Sequence, residues 1–119
     1  MQEDDRLDLE LHRRLEIGDR EAFEQLYRRY ASSAYGLALR VTGQDPLAQE
    51  VVSDAFLALW RAPQAFDATR GSFRAFFLSL VHHRAVDTVR REERLRKRAE
   101  RSSNLEPRVD EDVAEGVVE

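Results

Sequence analysis

What limits this chain most is a spacing: apolar side chains recur every three or four residues, and no run of Val, Ile or Thr alternates long enough to propose a strand. An all-α fold is therefore expected. Helix punctuation divides the chain into segments. Leu7, Leu11 and Leu15 stand four apart and predict a first helix over about 5–17, with Gly18 placed for a left-handed stop. Asp19 then reads as an N-cap for a second helix over about 20–42, carrying Ala22, Phe23, Leu26, Tyr30, Ala34, Leu37 and Val41 at helical steps before Gly43. Asp45-Pro46, an N-cap carboxylate followed by proline at the first helical position, opens a third helix over about 46–61, which Pro63 closes. After the loop 63–71, Ser72 can cap a fourth helix over about 72–100. The expected architecture is a compact bundle of about four helices occupying residues 1–101.

Composition narrows what such a bundle can do. With 119 residues and 42% apolar content the chain can build one core, and 35% charged residues implies heavily solvated helix faces. The absence of cysteine removes disulfides, thiolate metal sites and cysteine nucleophiles. Three histidines make a poor zinc set, and the adjacent pair His82-His83 diverges by about 100° on a helix. No glycine-rich phosphate loop and no Ser/His/Asp arrangement is present. Neither a catalytic role nor a metal or cofactor is expected. No apolar run approaches the roughly 18 residues of a membrane span, and the acidic start MQEDDRLDLE lacks the layout of a signal peptide. A cytoplasmic protein without membrane insertion is the expectation.

The net charge of -4 conceals a segregation. Residues 1–69 hold 8 basic and 13 acidic side chains, residues 70–101 hold 10 and 4, and residues 102–119 hold 1 and 6. The basic stretch is a candidate polyanion surface, because phosphate neutralisation with counterion release drives nucleic-acid affinity. An ordinary solvated helix face, with arginines capping the helix dipole and pairing along one side, is the competing reading. Residues 102–119 offer too little apolar surface to order themselves and are expected to be an acidic linker or disordered tail.

A helical wheel separates the third helix into two faces. Val51, Val52, Ala55, Phe56 and Leu59 fall within about 140° of one another and form the core side. Opposite stand Glu50, Ser53, Asp54, Leu57, Trp60 and Arg61. Carboxylates beside an exposed leucine and the chain's one tryptophan suit a protein-binding patch; alternatively Trp60 folds back under the Pro63 loop. The fourth helix begins with Phe73, Phe76, Phe77, Leu80 and Val81, more consistent with burial than with base stacking. Its polar stripe is Ser79, His83, Asp87, Arg90 and Arg94, flanked by His82 and Arg91, an inventory suited to bases and phosphates.

Four blocks occur in order with consistent spacing: Gly18-Asp19-Arg20-Glu21-Ala22-Phe23-Glu24-Gln25-Leu26-Tyr27-Arg28-Arg29-Tyr30, the third helix, Gly71-Ser72-Phe73-Arg74-Ala75-Phe76, and Ala85-Val86-Asp87-Thr88-Val89-Arg90-Arg91. Together they resemble bacterial sigma factors of the extracytoplasmic-function group over about residues 15–91, in the conserved second region. The resemblance implies a helical domain that docks on core RNA polymerase and opens the promoter at its minus-10 element. It places polymerase docking, against a coiled coil on the clamp of the largest subunit, on Glu50, Ser53, Asp54, Leu57, Trp60 and Arg61. It places capture of the non-template strand on the loop 65–71, including Arg70, and on the fourth helix, with Ser79, His83, Asp87, Arg90, Arg91 and Arg94 as the DNA-facing set. Ser53 stands where glutamine is usual, His83 where asparagine is more frequent, and Phe76 where tryptophan is common. Such factors are commonly regulated by an anti-sigma factor and continue into a second DNA-binding domain, so a fragment ending in the interdomain linker is expected.

Two other classes compete. A helical adaptor binding only protein should show no salt-dependent affinity for single-stranded DNA, and a duplex-binding regulator should prefer duplex to a single strand.

Overall fold

The computed structural model of the protein describes residues 2–105. Four α-helices, α1 (Glu3–Glu16), α2 (Arg20–Thr42), α3 (Asp45–Arg61) and α4 (Phe73–Leu105), follow one another, with short 3-10 turns at Pro63–Ala65 and Ala68–Arg70 between the last two. The all-α expectation holds, and among the described residues there is no strand. Contacts divide the chain into two units that meet between Val86 and Asp87, so residues 73–86 of α4 belong to the first and the rest to the second.

Most helix ends follow the punctuation. Gly18 and Gly43 take left-handed φ values of 85° and 73°, and the Gly43 amide donates to the Leu39 carbonyl at 2.8 Å. Asp19 Oδ1 accepts from the amides of Glu21 at 2.9 Å and Ala22 at 3.3 Å. Ser72 Oγ accepts from the Ala75 amide at 3.0 Å. The start of α3 differs from the expectation: Gln44 is its N-cap and makes no side-chain cap bond, while Asp45 is already helical. The Asp45 carboxylate is engaged instead by the Tyr35 hydroxyl of α2 and by Gln49 Nε2 at 3.0 Å, which explains why it does not cap its own helix. The end of α4 also differs. It continues through Ser102 to Leu105, where the tail was expected from residue 102. Arg96 pairs with Glu93 at 3.0 Å and Glu100 at 3.4 Å, and such pairs support a helix whose apolar content is low. The remainder of the acidic tail, 106–119, lies outside the described residues.

The core of the first unit draws on all four helices. Leu11 and Leu15 of α1, Leu26 of α2, Val51 and Leu59 of α3, and Phe73, Phe77 and Val81 of α4 are each at most 2% exposed. Burying one such side chain contributes roughly 1.5–3 kcal/mol. Ala22, Ala34 and Ala38 on α2 are completely covered, which lets neighbouring helices approach closely. The start of α4 is held by ring contacts: Phe77 lies 4.6 Å from Phe56 and stacks with Phe73 at 6.0 Å. This fixes the direction in which α4 leaves the loop.

The register of α1 departs from its leucine spacing. Leu7 is 41% exposed, whereas the next residue, Asp8, is 1% exposed. A buried carboxylate must be paired. Asp8 accepts from Arg29 Nε at 2.7 Å and from the Tyr30 hydroxyl, and Arg29 Nη2 also donates to the Asp4 carbonyl at 3.2 Å. Burial, reinforced by the bond to Asp8, pushes the Tyr30 phenol up to about 12.

Candidate functional site

Packing leaves uncovered the α3 residues that the wheel set apart. Glu50, Ser53, Leu57, Trp60 and Arg61 are exposed and Asp54 is half-buried, while Val51, Val52, Ala55, Phe56 and Leu59 are buried. The Trp60 ring meets Phe23 of α2 edge-on at 5.4 Å and stays 38% exposed. Beside it a groove of about 610 Å³ runs between α2 and α3, lined by Arg20, Phe23, Glu24 and Tyr27 on one wall and Ser53, Phe56, Leu57 and Trp60 on the other. Glu50, Asp54 and Arg61 are not among the lining residues and stand within about 40° of one another along the helix. The α2 wall was not anticipated. Phe23 had been read with the core stripe, and Tyr27 one turn later is 48% exposed; their four-residue spacing was the available signal.

A second cavity, of about 480 Å³, is formed by the α3–α4 loop and the first two turns of α4. Phe66 and Phe76 supply its apolar surface; Asp67, Arg70, Ser72 and Ser79 supply its polar groups. Of the sequence-expected DNA-facing residues, Arg70 and Ser79 are brought together here. His83 is exposed further along α4. In the second unit Asp87, Arg90 and Arg94 are exposed and Arg91 is half-buried on the same helix.

The loop is shaped by residues that sequence reasoning missed. His12 of α1 donates from Nε2 to the Pro63 carbonyl at 2.7 Å, since a carbonyl only accepts, and its ring meets Phe66 edge-on at 4.8 Å. Phe66, 6% exposed, also contacts Phe73 and Phe76, each at 5.4 Å. Asp67 Oδ1 accepts from the Thr69 hydroxyl at 2.7 Å and the Thr69 amide at 2.9 Å, closing a tight local turn. These bonds hold the Asp67 carboxyl below its ordinary value, so it is anionic beside the cavity. The loop thus presents an acceptor, a guanidinium and two hydroxyls above an aromatic floor, a combination suited to an unstacked base with its phosphate. Among the described residues no helix is long and apolar enough to cross a membrane.

The sequence model of the sigma-70 region 2 family matches residues 26–95, which takes in α3, the loop and, of the α2 wall of the groove, Tyr27. Among curated proteins the chain is similar to the ECF RNA polymerase sigma factor SigK of Mycobacterium sp. (strain KMS), 38% identical over 102 residues that make up 84% of this chain and 52% of that protein. It is 37% identical over 83 residues to the protein of the same name in Mycobacterium ulcerans, covering 70% of this chain and 44% of that one. For the Mycobacterium bovis protein the identity is 35% over 102 residues, 84% of this chain and 54% of that one. The chain spans about half the length of the curated relatives it matches. The family match takes in more than half of the chain: the chain belongs to the sigma-70 region 2 family and is similar to the extracytoplasmic-function sigma factors within it.

Proposed function

We propose that this chain serves in transcription initiation, docking on core RNA polymerase through the α2–α3 face and capturing the non-template strand of the promoter minus-10 element with the loop 65–71 and α4. The observation that carries the docking half is a convergence. Of the five large hydrophobic side chains exposed among the described residues, three, namely Tyr27, Leu57 and Trp60, line one groove. A patch of this kind, bordered by Glu50, Asp54 and Arg61, suits a helical partner laid along it. In this reading the partner is the clamp coiled coil of the largest polymerase subunit, with Leu57 and Trp60 as anchors and the charged border setting register. An anti-sigma factor would act by covering the same groove.

The capturing half needs no covalent step from this chain. Extruding a base from the stack costs a few kcal/mol. The Phe66 and Phe76 surface, the Asp67 acceptor and the Arg70 guanidinium offset that cost at the loop, while Ser79 and His83 face the strand on α4, followed by Asp87, Arg90, Arg91 and Arg94. Holding one strand this way keeps the duplex parted while the polymerase performs the chemistry. The isolated chain binds the strand weakly, and docking supplies the rest through effective concentration.

The test is binding of labelled chain to core polymerase by fluorescence anisotropy, beside a double charge reversal, Asp54→Lys with Arg61→Glu. Both positions lie on the outer side of α3, so circular dichroism should report an intact fold. Tight binding by the wild type, weakened at least tenfold in the folded variant, is expected; equal binding by both would sink the docking half.

A further inference from the structure

The loop 63–71 borders the second cavity, yet its own backbone bonds do little to place it. They run inward: the Ala65 amide donates to the Ala62 carbonyl at 3.0 Å, Phe66 to Pro63 at 3.3 Å and Arg70 to Asp67 at 3.0 Å. Among the described residues, the one hydrogen bond that ties this stretch to a helix is the bond from His12 Nε2 of α1 to the Pro63 carbonyl at 2.7 Å. Glu16, one helical turn on, comes only to 3.9 Å from the same nitrogen, beyond hydrogen-bond distance. The Pro63 carbonyl thus receives two donors, the His12 imidazole and the Phe66 amide, one for each lone pair. What α1 grips is the residue that closes the turn in front of Phe66.

Phe66 is the next link. Its ring meets His12 on one side and Phe73 and Phe76 of α4 on the other, so it is wedged between α1 and the start of α4. Asp67, its neighbour, is the N-cap of the 3-10 turn that ends at Arg70. His12 itself is 7% exposed and does not line the cavity, and its position precedes residue 26, where the family match begins.

We infer that His12 is a positioning residue for strand capture: through the Pro63 carbonyl it sets where Phe66, Asp67 and Arg70 stand against α4, without meeting the strand itself. The inference rests on the reading of this loop as the capture site. The role requires a donor at that point and no charge, since a neutral imidazole protonated at Nε2 makes the same bond as an imidazolium. Without the donor, Phe66 is held by α4 alone and the groups that follow it shift. A displacement of about 1 Å is enough to weaken a binding constellation severalfold or more.

The experiment compares the wild type, His12→Phe and His12→Gln. Phenylalanine keeps a ring against Phe66 and Phe73 but has no donor, whereas glutamine loses the ring and carries an amide donor of similar reach. His12→Leu stands in for the first variant if circular dichroism shows that variant unfolded. Each protein is titrated with core polymerase, and each assembled complex with a labelled single-stranded oligonucleotide carrying a minus-10 non-template sequence, both by anisotropy. The donor-less variant should bind the strand about 5- to 10-fold more weakly at unchanged polymerase affinity, and His12→Gln should stay within about twofold of the wild type. A general loss of structure would instead lower both affinities together. Equal strand binding by the wild type and the folded donor-less variant, an equal loss in His12→Gln, or a parallel loss of polymerase affinity would overturn the role of His12 and leave the capture reading standing. No strand binding by the wild-type complex would overturn both.

Discussion

At the scale of single residues, two contacts made by α1 decide how firmly the first unit is held. Asp8 is 1% exposed and bonded to Arg29 and Tyr30. Asp8→Ala strips a mostly covered ion pair of one partner and should cost about 3 kcal/mol, read by urea unfolding. The Tyr30 phenol, pushed by burial from 10.0 to about 12, gives a signed pH dependence. Its folded value lies above its unfolded one, so its contribution is complete below about pH 10 and is lost as pH rises through about 12. Tyr30→Phe should therefore flatten stability against pH between those limits, measured by alkaline titration of the folded fraction. His12 acts at a distance from the surface it supports. Its bond to the Pro63 carbonyl and its contact with Phe66 fix the loop. His12→Ala should lower stability by about 1–2 kcal/mol and raise amide exchange across residues 62–72 more than across α2.

At the scale of elements, the caps explain why four helices form where they do. Asp19→Ala removes acceptors for two amides and should cost about 1 kcal/mol, as should Ser72→Ala at the start of α4, each measured by thermal unfolding. Those caps were legible because each depends on one residue type beside a helix start. The two faces of α3 were legible for a similar reason, since burial of Val51, Ala55 and Leu59 follows from spacing within one helix. What escaped the sequence depends on two elements at once. Asp45 looked like a cap until Tyr35 of α2 engaged its carboxylate. Leu7 looked like core until the pairing of Asp8 with Arg29 and Tyr30 set the register of α1. The α2 wall of the groove and the support of the loop by His12 are likewise contacts between segments far apart in sequence. Local periodicity carries no information about them.

At the scale of the molecule, the chain brings a partly apolar groove and a polar, aromatic-floored loop onto the first unit, and its second unit carries a run of basic side chains. In the proposed account each surface alone is weak and the two act in series, docking first and strand capture second. That order can be measured with core polymerase, this chain and a labelled single-stranded oligonucleotide carrying a minus-10 non-template sequence, followed by anisotropy. The account predicts firm binding only when polymerase and chain are both present, loss of binding with Asp54→Lys plus Arg61→Glu, and a reduction of at least tenfold with Arg70→Ala plus His83→Ala at unchanged polymerase affinity. Binding that does not need the polymerase, or a preference for intact duplex over the single strand in the assembled complex, would contradict it.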